Sequence, residues 1–182
     1  MGLFIALSTA VGALCVLAVL LFGHLLRKRP SLATSLPREK TVAVAMGLLC
    51  LIWSDYHACI MLEGDLNRFH MAVHVLVPVV AVLGYLYLDF LFARTLGGLL
   101  ILCANRLIYD GFVQSVPCRP LYSVICLALG VFGLFALGTP WRFRQLLQLS
   151  VKDRRWAMGL AGLFVLFAAV LILLPPFSAG VP

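Results

Sequence analysis

Candidate chemistry in this sequence rests on a few ionisable side chains, because 63% of its 182 residues are hydrophobic and only 12% are charged. His57 and His74 lie near the ends of two consecutive apolar segments. At 1.5 Å per residue, both imidazoles fall about 6–9 Å beneath the same boundary. Two histidines at one level can ligate b-type haem, with Arg68 or Arg106 available to its propionates. We therefore take His57 and His74 as candidate cofactor ligands.

A second histidine pair lies within one segment. His70 and His74 are four residues apart, so on a helix they share a face and can hold a metal ion together. The alternative is structural, since polar side chains at membrane depth commonly hydrogen-bond a neighbouring helix. No sequence motif surrounds these histidines, which favours the structural interpretation. His24, beside Arg27, is expected at the membrane interface.

A buried polar cluster is also predicted. Asp55 and His57 are two positions apart, so on a helix they point about 200° from each other and Asp55 needs its own partner. Arg106 is the cation at matching depth, and it stands one turn from Asp110. The sequence thus predicts a cluster of Asp55, Asn105, Arg106 and Asp110. Such a cluster either pins two helices together or carries protons or a polar headgroup.

The remaining composition argues against several functional classes. The net charge of +7 comes from short basic blocks between apolar runs, with no soluble module to present them to nucleic acid. Gly-rich phosphate loops, HExxH and GxSxG are absent from the sequence, so no enzymatic reaction is predicted. The six cysteines form no CxxC and are expected to behave as small hydrophobic residues.

Apolar runs of about 20 residues recur along the chain, which predicts an all-α polytopic integral membrane protein with a single transmembrane domain over 1–182. Charged residues make up 12% of the chain, against about 25% in soluble domains. This low charge content indicates that lipid surrounds most of the chain. An amphipathic cytoplasmic helix at the membrane interface is predicted over 140–155, where Thr139-Pro140 is a helix-start signal. The predicted spans are 2–26, 41–62, 70–92, 96–112, 121–138 and 156–174.

The boundary between the third and fourth spans is the hardest to place. Residues 70–109 form one apolar run, which as a single helix would reach about 60 Å against a hydrocarbon core of about 30 Å. The chain must turn back within it. We place the turn at Arg94-Thr95, followed by Gly97-Gly98.

Basic residues predict the orientation. With the 27–40 loop in the cytoplasm, eleven of the fourteen Lys and Arg residues are inside, which obeys the positive-inside rule with both termini outside. Most of these basic residues form two blocks, at 27–40 and 142–155. An odd number of spans between the two blocks would place them on opposite faces of the membrane. The expected location is a cell membrane of the bacterial inner-membrane type. The eleven inner residues are Arg27, Lys28, Arg29, Arg38, Lys40, Arg94, Arg142, Arg144, Lys152, Arg154 and Arg155.

Three functions fit these features. The first is a small non-enzymatic subunit or scaffold of a larger membrane complex, with other membrane subunits or further copies of itself as partners, because the loops are too short to form a soluble catalytic domain. The second is a redox subunit that binds haem b through His57 and His74, or a quinone near Arg106. The third is a small transporter or channel.

Overall fold

A computed structural model of the protein describes residues 2–62 and 69–178, and the regular secondary structure of these ranges is helical. Six helical segments are long and apolar enough to cross a membrane, the first of them running from Gly2 to Lys28. The prediction of an all-α polytopic membrane protein is thereby confirmed. In chain order, the elements are α1 (Gly2–Leu20), a π-helical turn (Leu21–Leu25), α2 (Leu26–Lys28), α3 (Leu32–Ser35), a 3-10 turn (Leu36–Arg38), α4 (Lys40–Met61), α5 (His70–Tyr87), α6 (Leu91–Val113), α7 (Arg119–Gly138), α8 (Pro140–Lys152) and α9 (Arg154–Ser178).

The core of the bundle is built from α1, α6, α7 and α9. The closest crossing joins α6 to α7, where a Cβ atom on Gly97 would lie 2.5 Å from the carbonyl oxygen of Gly133. A similar approach joins α1 to α9, since a Cβ on Gly12 would lie 2.5 Å from Cγ1 of Ile172. Small residues permit such close contact between helices. The resulting van der Waals packing stabilises the bundle in lipid, where the hydrophobic effect does not drive helices together.

The turn between the third and fourth spans differs from its predicted place. The structure ends α5 at Tyr87 and begins α6 at Leu91, and Phe90 adopts a left-handed conformation with φ of 57°. Arg94 and Gly97 therefore lie inside α6. Gly97 is needed for the α6–α7 crossing, and neither Gly97 nor Gly98 breaks the helix, which explains the misplaced boundary.

The last span also extends beyond its predicted end at 174. Helix α9 continues through Pro175 and Pro176 to Ser178. A buried polar contact accompanies these prolines, because the Ser8 hydroxyl donates to the Leu171 carbonyl at 2.6 Å. Since the Ser8 proton is used there, the Tyr122 hydroxyl 3.1 Å away donates to Ser8. One hydroxyl thus connects α1, α7 and α9.

Helix α8 has the predicted amphipathic arrangement. Phe143 and Leu147 are buried, whereas Arg142 and Lys152 are exposed. The helix packs against α2, α3, α7 and α9, so its apolar face covers one end of the bundle. The 27–40 loop and α8 lie at this same end, as an even number of intervening spans requires.

Candidate functional site

The ionisable side chains of α4 and α5 meet near the loop that joins these helices. Both carboxylate oxygens of Asp55 contact Nδ1 of His74, at 3.0 Å and 2.9 Å. The Asp55 side chain is 18% exposed and the His74 side chain is 59% exposed. The contact holds together two antiparallel neighbouring helices whose polar residues would otherwise face lipid.

Cys59 completes a group of three potential metal ligands with Asp55 and His74. It follows Asp55 by one helical turn, so both side chains lie on the same face of α4. Its Sγ atom is 4.0 Å from Nε2 of His74. One ligand atom from each of the three residues lies within 4.8 Å of the others. We call these residues the Asp55–Cys59–His74 cluster.

His57 lies apart from this cluster. Trp53 donates its indole N–H to Nε2 of His57 at 2.9 Å, which leaves the imidazole proton on Nδ1. Because Asp55 faces His74, residue 57 points about 200° away around α4. The structure therefore does not bring His57 and His74 together as the predicted haem pair. Arg68, the proposed propionate partner, lies outside the described residues.

His70 stands one turn before His74 on α5. Its Nε2 atom is buried and has no hydrogen-bond partner among the residues that the structure describes. The group of ligand atoms around His74 contains Asp55 and Cys59 and does not include His70. The metal site of His70 and His74 stays a prediction. His24 is exposed in the π-helical turn, as expected of an interfacial residue.

The predicted polar cluster, which was to join α4 to α6, is divided by the structure. Arg106 donates from Nε to Oδ2 of Asp110 at 2.9 Å, and Asp110 is buried. Asn105 is exposed on the same helix, and Asp55 is paired with His74. Arg106 has an acceptor one turn away on its own helix, a spacing that is always within reach. That local pair takes the place of the predicted Asp55–Arg106 contact.

Cys59 is the site residue that sequence reasoning missed. The sequence does contain an indication of Cys59, because the spacing of four residues between Asp55 and Cys59 places a carboxylate and a thiol on one helical face. The ligands predicted from the sequence were histidine pairs and did not include Cys59. Cysteine inside an apolar run behaves by default as a small hydrophobic residue, so only its proximity to His74 marks it as a possible ligand.

A cavity of about 310 Å³ lies among α1, α6, α7 and α9, away from these polar groups. Its walls are apolar and include the rings of Phe22, Phe132, Phe143 and Phe164. The ionisable residues of α4, α5 and α6 discussed above do not line it. A polar transport route through the bundle therefore gains no support from this cavity, and the transporter or channel remains a prediction.

Comparison with protein-family models, with curated proteins and with solved structures finds no match for this chain. The fold and the cluster therefore define the class by themselves. The chain is a polytopic α-helical membrane protein with a polar contact between its second and third spans.

Proposed function

We propose that this protein is a small non-enzymatic subunit of a larger membrane complex, and that the hairpin of α4 and α5 faces its partner. The observation that carries the proposal is a partly exposed polar pair, Asp55 and His74, on a hairpin that the rest of the bundle barely covers. The proposed location is a cell membrane of the bacterial inner-membrane type, with both termini outside and with the 27–40 loop and α8 in the cytoplasm.

The hairpin is covered much less than the rest of the bundle. None of the residues of α5, from His70 to Tyr87, is classed as buried. Among the described side chains of α4, one is buried, that of Ala43. In contrast, α6 alone has nine buried residues. Helix α5 packs chiefly against α4, so most of its surface faces lipid or another protein.

The Asp55–His74 pair favours another protein over lipid. Ionisable groups at membrane depth are costly in contact with lipid tails and usually face protein or water. Asp55 is hydrogen-bonded to His74, and the exposed side of the imidazole can form a further hydrogen bond with a polar neighbour. The occupant that fits is a transmembrane helix of another subunit carrying an uncharged polar side chain at this depth.

Photocrosslinking in native membranes tests the proposal. A photoreactive amino acid replaces Val82 on α5, and the matched control replaces Val165 on α9; these side chains are 57% and 52% exposed. We expect one crosslinked product of defined mass from position 82 and none from position 165. Replacing Asp55 and His74 together with leucine should reduce that product.

Two results would contradict the heteromeric subunit. A product of twice the chain mass would mean that the hairpin binds a second copy. Equal crosslinking from positions 82 and 165, or none from position 82, would mean that the hairpin simply faces lipid. The protein mass of the detergent-solubilised particle, with the bound detergent subtracted, provides an independent measurement, since that of a complex should be well above the 19.9 kDa of the chain.

A further inference from the structure

We infer that Asp55, Cys59 and His74 bind a divalent transition-metal ion of the Zn²⁺ class near the outer end of α4 and α5. This inference goes beyond the proposed subunit role and does not depend on it, because all three ligands come from one chain. The metal would fasten the two helices of the hairpin together.

The ligand chemistry suits zinc. Zinc binds thiolate sulfur, imidazole nitrogen and carboxylate oxygen, and many sites use three protein ligands with water in the fourth position. Asp55, Cys59 and His74 supply one ligand of each kind. Sites made only of oxygen ligands favour magnesium or calcium instead, so the thiol and the imidazole direct the choice to a softer ion.

The geometry requires little rearrangement. Ligand atoms around a tetrahedral zinc ion are separated by about 3.3–3.6 Å, given bond lengths of about 2.0–2.3 Å. Here one atom from each residue lies within 4.8 Å of the others, and Cys59 Sγ is 4.0 Å from His74 Nε2. Side-chain rotations can close such gaps without moving the helices. The His74 side chain is 59% exposed, which leaves space beside the cluster for a fourth ligand.

Charge balance favours the bound state at this depth. A Cys59 thiolate and an Asp55 carboxylate contribute two negative charges, and a neutral His74 contributes none, so one divalent ion makes the cluster neutral. Binding forms a metal–sulfur bond, and the Cys59 thiol releases its proton to the solvent. A neutral cluster is less costly than separated charges beside lipid.

Cobalt substitution tests the site on the purified full chain in detergent. After removal of metals with a chelator, Co²⁺ is added and the thiolate-to-Co²⁺ charge-transfer absorption is recorded. We expect one Co²⁺ per chain, displaced by Zn²⁺. Cys59→Ser should abolish the absorption, and Asp55→Asn and His74→Ala should each weaken Co²⁺ binding by at least about tenfold.

Matched controls remove the same residue types elsewhere. Cys118→Ser deletes an exposed thiol at the same end of the bundle, and His57→Ala deletes the histidine bonded to Trp53. Both should bind Co²⁺ like the original chain. Charge-transfer absorption that survives Cys59→Ser, or that disappears with Cys118→Ser, would overturn the assignment.

Thermal unfolding of the unchanged chain provides a second readout that does not depend on variants folding. Zn²⁺ at saturating concentration should raise the Tm, because a ligand that binds the folded state stabilises it. A Tm unaffected by Zn²⁺, with no Co²⁺ absorption, would also overturn the site. Neither measurement involves a partner, so failure here leaves the crosslinking test of the subunit role unaffected.

Discussion

The Ser8 hydroxyl donates to the carbonyl oxygen of Leu171 at a distance of 2.6 Å. In an uninterrupted helix, this carbonyl would accept the N–H of the residue four positions later. That residue is Pro175, which has no N–H. Because an unsatisfied backbone group inside a membrane costs several kcal/mol, Ser8 both restores a lost hydrogen bond and joins the first span to the last.

Ser8→Ala should therefore destabilise the protein. It leaves the Leu171 carbonyl without this donor and removes the acceptor for Tyr122, so we expect a loss of about 1–3 kcal/mol in the free energy of unfolding. Denaturation in detergent, followed by circular dichroism, measures it. Thr9→Val is the matched control, since within the described residues the hydrogen bonds of Thr9 go to carbonyls of its own helix. Equal losses from both variants would show that the Ser8 contact is not important for stability.

Gly97→Ala should loosen the crossing of α6 and α7. The added Cβ would meet the Gly133 carbonyl oxygen at 2.5 Å and the Leu137 backbone nitrogen at 2.8 Å, so the helices must separate. Overpacking of this kind costs about 1–3 kcal/mol. Gly162→Ala is the control, because no atom of the described residues that could clash lies within 4 Å of a Cβ at that position. A thermal unfolding midpoint lowered by the control as much as by Gly97→Ala would argue against a close crossing.

A double-mutant cycle should show that Asp55 and His74 are coupled. With a chelator present, Asp55→Asn and His74→Gln should each lower stability, and the double variant should lose less than their sum. Contacting pairs show interaction energies of about 0.5–3 kcal/mol. The same cycle between Asp55→Asn and Arg106→Gln should be additive within about 0.5 kcal/mol. Strong coupling in the second cycle would support the cluster predicted from the sequence and contradict the pairing in the structure.

Accessibility to a membrane-impermeant thiol reagent should establish the orientation. Cys118 is exposed at the predicted outer end and should react in intact cells. In a Cys118→Ser background, cysteines introduced at the exposed positions Ser35 and Gln148 should react only after permeabilisation. Labelling of positions 35 and 148 from opposite sides of the membrane would overturn the six-span arrangement.

Composition and periodicity were sufficient to predict the membrane class, the six spans and the amphipathic helix α8. Lipid cannot hydrogen-bond the backbone, so each run of about 20 apolar residues must become a helix. Turn positions were less accessible from the sequence. Gly97 and Gly98 suggested a break, yet Gly97 lies at a helix crossing, and the turn falls at Leu88–Phe90, where no proline or glycine marks it.

The contacts of the candidate site were decided only by the tertiary structure. Depth along a helix follows from residue number at 1.5 Å per residue, so the sequence predicted similar levels for the polar residues of α4 and α5, and Asp55 and His74 do meet in the structure. Rotation about the helix axis has no such rule, because packing against the neighbouring helices sets it. That rotation turns Asp55 and Cys59 toward His74. His57 instead contacts Trp53, and Arg106 contacts Asp110, each one turn away on its own helix.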